Sequence, residues 1–89
     1  MSLENFILDY NREADRLYVH LRPDPGSNNV DVSFGVQARV VPGTNEIVGL
    51  EILNPSGLFG SSDPAKIDRN EILFLLIKSC EQIRILASR

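Results

Sequence analysis

An α+β fold, a four-stranded antiparallel β-meander with one C-terminal α-helix packed on its apolar face, is what three features of this sequence predict. Residues 5–54 alternate apolar and polar side chains in short runs, which is the period of a half-buried strand. Clusters of Asn, Asp, Gly and Pro separate those runs, as hairpin connections require. After residue 63 the spacing changes to three and four, the period of a helix. The chain reads as a single domain over residues 1–89, with the meander at 5–54, a connector at 55–63 and a helical segment at 64–87.

The elements follow in order. Phe6 to Tyr10 alternates with Phe6, Leu8 and Tyr10 inward, and Asn11 to Asp15 supplies the polar side chains of a tight reversal. In that turn Asp15 is expected to accept the backbone N–H bonds that close it, a cheaper account of Glu13 and Asp15 than acid–base chemistry. Arg16 to Arg22 alternates again, with Leu17, Val19 and Leu21 inward, and Pro23 to Asn29 has the composition of a mobile loop. From Val30 the even positions Val30, Val32, Phe34, Val36, Ala38 and Val40 are all apolar. Gly35 does not shift that parity, so one long strand with a bend at Gly35 is expected, with Phe34 fully buried. After the Pro42–Asn45 turn, Val48, Leu50 and Ile52 return to the inner face, with Ile47, Gly49, Glu51 and Leu53 outside. Asn54 to Ser62 lacks periodicity and has Leu58 and Phe59 as its apolar anchors. Asp63-Pro64 reads as an N-cap followed by a first-turn proline, Asp68 and Glu71 have capping-box spacing, and the main helix is expected from Arg69 to about Ala87.

Composition narrows the function. Eighty-nine residues, 43% apolar and 24% charged, describe one small globular domain whose core alone would be thin. A net charge of −3 with nine scattered basic residues gives no field for phosphate neutralisation, so nucleic acid is not an expected partner. The single cysteine, Cys80, lies on an apolar helix with no neighbouring base and reads as a core residue. No run of secretory type precedes the first strand, and the longest apolar run, Ile72 to Ile77, is far short of the roughly 20 residues of a membrane span. A cytoplasmic protein without membrane contact is therefore expected.

Two surfaces could carry function. The outer sheet face gathers Asp9, Tyr18, His20, Gln37, Arg39 and Glu51, with His20 and Glu51 the best pair for an acid and a base. An antiparallel sheet ordinarily solvates one face with such residues, so His20→Ala and Glu51→Gln are expected to be near-neutral for folding. One histidine among carboxylates is too few donors to indicate a metal, and no catalytic residue, metal or cofactor is assigned. The second surface is on the helix. At about 100° per residue, Ile72, Leu73, Leu76, Cys80, Ile83 and Leu86 share the face toward the sheet, with Ile77 at its edge. Phe74 and Ile85 fall on the opposite side with Lys78 and Glu81 between them.

Asp9-Tyr10-Asn11-Arg12-Glu13-Ala14-Asp15-Arg16-Leu17-Tyr18-Val19, followed by Val48-Gly49-Leu50-Glu51-Ile52-Leu53-Asn54, resembles a small prokaryotic family, domain-of-unknown-function family 2283. The shared pattern is an aspartate–tyrosine pair, an acidic-Ala-Asp turn, a Leu-Tyr-aliphatic strand and a later aliphatic-Gly-aliphatic-Glu-aliphatic strand. The resemblance covers Phe6 to about Ser56 and implies a small meander sheet followed by helical material, with no established activity. Some members look like partners in toxin–antitoxin pairs, so it also implies an antitoxin-like binding role. Val41-Pro42-Gly43-Thr44 departs from the acidic turn that members carry, as does the long C-terminal helix.

These readings converge on a non-enzymatic protein–protein interaction module, antitoxin-like by resemblance and homodimeric. Its expected contact surface is Leu58, Phe59, Phe74, Lys78, Glu81 and Ile85. The alternative is a small enzyme or ligand-binding protein using the polar face around His20 and Glu51.

Overall fold

A computed structural model describes residues 5–33, 35–60 and 63–87. Among these, five strands form one antiparallel sheet: β1 (Ile7–Asn11), β2 (Arg16–His20), β3 (Asn28–Ser33), β4 (Val36–Val40) and β5 (Ile47–Leu53). They are followed by a short helix α1 (Pro55–Phe59), a 3₁₀ turn (Pro64–Lys66) and the long helix α2 (Arg69–Ala87). The α+β class and the antiparallel sheet are as the sequence predicts; the four-stranded meander is not.

The spatial order is β1-β2-β5-β4-β3. Strands β3, β4 and β5 are joined by hairpins, and β2 lies beside β5, which is a Greek-key arrangement. The expected long strand is in fact the β3–β4 hairpin, reversed between Ser33 and Val36 with Gly35 at φ +74°. Alternation could not reveal the reversal, because the hairpin pairs Val30 with Ala38 and Asp31 with Gln37. Even positions meet even positions along these pairs, so the inner face stays apolar on both strands, and only beside the turn does a register shift set Ser33 against Val36. Phe34, expected in the core, lies outside the described residues. Gly35 also accepts from the N–H of Leu53 through its carbonyl at 2.8 Å.

A bulge makes a second correction. Val40 pairs with Ile47, whereas the adjacent Arg39 pairs with Gly49, leaving Val48 as the extra residue on β5. Ile47, expected outside, therefore belongs to the core. Two rows of inward side chains cross the sheet: Leu8, Val19, Leu50, Ala38 and Val30, then Tyr10, Leu17, Ile52 and Val36. The first turn also differs from expectation. Asn11, not Asp15, accepts the closing N–H, from Ala14 at 3.1 Å, and the Asp15 carboxylate takes the Tyr10 hydroxyl at 2.8 Å.

Helix α2 covers the apolar rows. Asp68 accepts the N–H of Asn70 at 2.9 Å and starts the helix, as Asp63 accepts that of Ala65 at 3.0 Å for the 3₁₀ turn. Arg69 pins this end to the residue just before β1, donating to the Phe6 carbonyl at 2.9 Å with its guanidinium 3.9 Å from the Phe6 ring centre. The buried stripe is Ile72, Leu76, Ser79 and Ile83. Leu75 packs inward as well, whereas Ile77 and Leu86, expected at the sheet, are exposed. Ser79 can face the core because its hydroxyl donates to the Leu75 carbonyl at 2.7 Å, leaving no unpaired donor there. In the connector the buried anchor is Pro55, Phe59 is half-buried on the core, and Leu58 is exposed.

Candidate functional site

Strand register places all six candidates of the outer face on two adjacent rows. One row runs Asp9, Tyr18, Glu51, Gln37, Asp31; the other runs Ile7, His20, Gly49, Arg39, Asn29. The structure thus brings Asp9, Tyr18, His20, Gln37, Arg39 and Glu51 onto one face, but their polar contacts fall into two separate networks.

The first network centres on Glu51. It was expected in solvent, yet only 7% of it is exposed. Its carboxylate accepts from Arg16 at 3.4 Å and from the side-chain amide of Asn29. Asn29 also donates to Gln37 at 3.2 Å, and Gln37 to Asp31 at 2.9 Å. Long neighbours on both sides cover the central strand, so a residue on the outer face of β5 is buried although the face is polar. A carboxylate held by a guanidinium and an amide is well placed to fix strand positions.

The second network centres on Arg39. Its Nη2 donates to His20 Nδ1 at 3.0 Å and lies 3.5 Å from the Val19 carbonyl, over Gly49, where no side chain would fit. Because Nδ1 accepts, the imidazole carries its proton on Nε2, which faces the Asp9 carboxylate at 4.0 Å. The Tyr18 and His20 rings lie nearly parallel with centroids 6.1 Å apart. Above Arg39 the β2–β3 crossover brings in Asp24, 3.5 Å from Nη1. Asp24 is held by the Ser27 hydroxyl at 2.6 Å and the Gly26 N–H at 2.8 Å, and those two bonds, with a smaller contribution from the Arg39 charge, keep its carboxyl below the usual aspartate range. Arg22 anchors the same crossover through an ion pair with Glu46 and a bond to the Ile47 carbonyl at 3.4 Å.

His20 and Glu51, the pair singled out from sequence, thus belong to different networks. Sequence reading missed Arg16, Arg22, Asp24, Asn29 and Gly49. Asp24-Pro25-Gly26-Ser27 carries a turn signal that could have pointed to Asp24, and a glycine within the apolar alternation of β5 is the mark of a close approach. Among the described residues no group of three or more His, Cys, Asp or Glu side chains could hold a metal ion, and no helix is long and apolar enough to cross a membrane.

The second candidate surface is the outer side of α2. Phe74, Lys78, Glu81 and Ile85 repeat the buried stripe displaced by two residues, about 200° round the helix. Phe74 is 58% and Ile85 53% exposed. Lys78 stands over the Phe74 ring, 5.5 Å from its centre. Two grooves meet at Phe74 and Leu75: one of about 360 Å³ shared with Leu58 and Phe59, and one of about 450 Å³ running past Lys78, Glu81 and Ile85 to Val32 of β3. All six residues expected at an interface therefore line one continuous surface.

Comparison of the chain with protein-family models, with curated proteins and with solved structures finds no match.

Proposed function

We propose that this chain is a non-enzymatic protein–protein interaction module that self-associates through the outer side of α2. The observation that carries this reading is the meeting at Phe74 of an apolar groove along Leu58 and Phe59 with a mixed one that runs past Lys78 and Glu81 to Ile85. A domain of this size buries a limited fraction of its surface, and a large apolar strip outside the core favours a partner. A second copy suits the strip, because Lys78 and Glu81 put opposite charges between its apolar ends and a two-fold axis would set each against the other. The antitoxin-like role implied by resemblance to family 2283 would use the same surface, with a partner protein competing against the second copy.

The enzyme alternative at His20 and Glu51 draws less support, since the carboxylate is buried on Arg16 and Asn29. Dilution of the labelled protein tests the proposal by NMR. Concentration-dependent amide shifts should concentrate in residues 71–86 and at Leu58 and Phe59, and shifts confined to the polar sheet face would contradict it.

A further inference from the structure

We infer that the depression beside Arg39 on the outer sheet face is a binding site for a small carboxylic acid with an apolar body. It lies on the opposite side of the sheet from α2 and encloses about 520 Å³, within the range of small-molecule sites. Its polar anchor is Arg39, of whose side chain only 14% is exposed. A guanidinium has five N–H donors. Those of Nη2 are used on the floor, Nε is buried with no partner, and Nη1 has only the Asp24 carboxylate at 3.5 Å, beyond a good charge-assisted hydrogen bond. Nη1, held only loosely by Asp24, is therefore the edge of the guanidinium left for a ligand in the depression.

The walls set the rest of the ligand. Ile7, 69% exposed, stands on the edge strand directly across from His20, and Leu21 and Pro23 complete an apolar rim. Apolar surface next to a guanidinium complements a carboxylate with a hydrocarbon body. A dianion such as phosphate is disfavoured, because Asp9, Asp24 and Glu46 already surround His20, Arg22 and Arg39. Asp24 is the internal competitor. When a ligand carboxylate takes its place at Nη1, Asp24 loses its cation but keeps its bonds to Ser27 and Gly26 and reaches solvent, so its displacement is a cost that Asp24→Asn would remove.

The test is titration of the full-length labelled protein with hexanoate, hexanamide and inorganic phosphate, followed by amide NMR. Hexanoate is expected to shift Ile7, His20, Asp24 and Arg39 saturably in the millimolar range, with hexanamide and phosphate at least about tenfold weaker. Asp24→Asn should tighten hexanoate binding several-fold, Ile7→Thr should weaken it, and Arg39→Gln should abolish it. If Arg39→Gln fails to fold, the first two variants, both at exposed positions, decide the matter. Equal shifts from hexanoate and hexanamide, no saturable shift at all, or weaker binding by Asp24→Asn would overturn the site.

Discussion

Arg39 of β4 and Gly49 of β5 are cross-strand partners, and the guanidinium of one fills the space that a side chain on the other would need. A Cβ at position 49 would also press on the Val19 carbonyl, which is backbone and cannot swing away. Gly49→Ala is therefore expected to cost about 1–3 kcal/mol through overpacking, read as a lower urea midpoint at unchanged slope. Arg39→Ala should relieve only part of this cost, so the double variant should remain less stable than Arg39→Ala alone. Equal stability of those two would mean that the carbonyl contact is not limiting.

The core claim rests on rows that cross the whole sheet. Leu50 sits between Val19 and Ala38 and is fully buried. Leu50→Ala should cost about 2–5 kcal/mol, a large part of the stability of a domain this small. An unchanged denaturation midpoint would contradict the assigned register.

Much of this was readable in the residues. Alternation placed Leu17, Val19, Leu50 and Ile52 correctly, because a half-buried strand leaves little choice of which side meets the helix. The hairpin at Gly35 was hidden by conserved parity, and the inward turn of Ile47 by a bulge, which adds a residue without leaving a sequence mark. On α2, Phe74 and Ile85 were legible because helical spacing sets their angle to the core. Ile77 was misplaced because the stripe extends to the Ser79 side of Ile72, away from it, whereas Leu86 lies at the angle of that stripe and is exposed in the last turn of the helix. The polar face could be assembled as a set but not resolved into contacts. Pairing depended on the Greek-key order and on Asp24 and Asn29, which reach the sheet from its crossover and far edge.

Glu51 is the residue whose expected behaviour changes most. Read as a solvated side chain it would be silent; buried on Arg16 and Asn29, it should not be. Glu51→Ala is expected to cost about 1 kcal/mol, the net worth of its hydrogen bonds, because Arg16 and Asn29 both reach solvent and Asn29 keeps Gln37 as an acceptor. Chemical denaturation of Glu51→Ala beside His20→Ala measures the contrast, and a Glu51 loss no larger than about 0.5 kcal/mol would show that its network carries no stability.

Asp24 supplies a pH signature. Its carboxyl is held below the ordinary value chiefly by the Ser27 hydroxyl and next by the Gly26 N–H, with desolvation opposing them and the Arg39 charge contributing least. A depressed folded-state pKa gives stability that is present above the unfolded value, about 3.9, and is lost as pH falls through the lower folded value. Wild type should therefore exceed Asp24→Asn in stability at neutral pH, and the two acid-unfolding curves should converge below about pH 3.9. A gap that persists in acid would place the effect of the substitution elsewhere than in the charge.

The interaction surface is tested most directly by sedimentation equilibrium of wild type and Phe74→Glu over about 1–100 µM, the range in which a contact of a few large side chains should be half-formed. Wild type should sediment as a dimer at the upper end and dissociate on dilution, while Phe74→Glu should remain monomeric with an unchanged far-UV circular dichroism spectrum. A wild type that stays monomeric throughout, or a Phe74→Glu variant that dimerises as before, would contradict the assignment of the outer side of α2 as the interface.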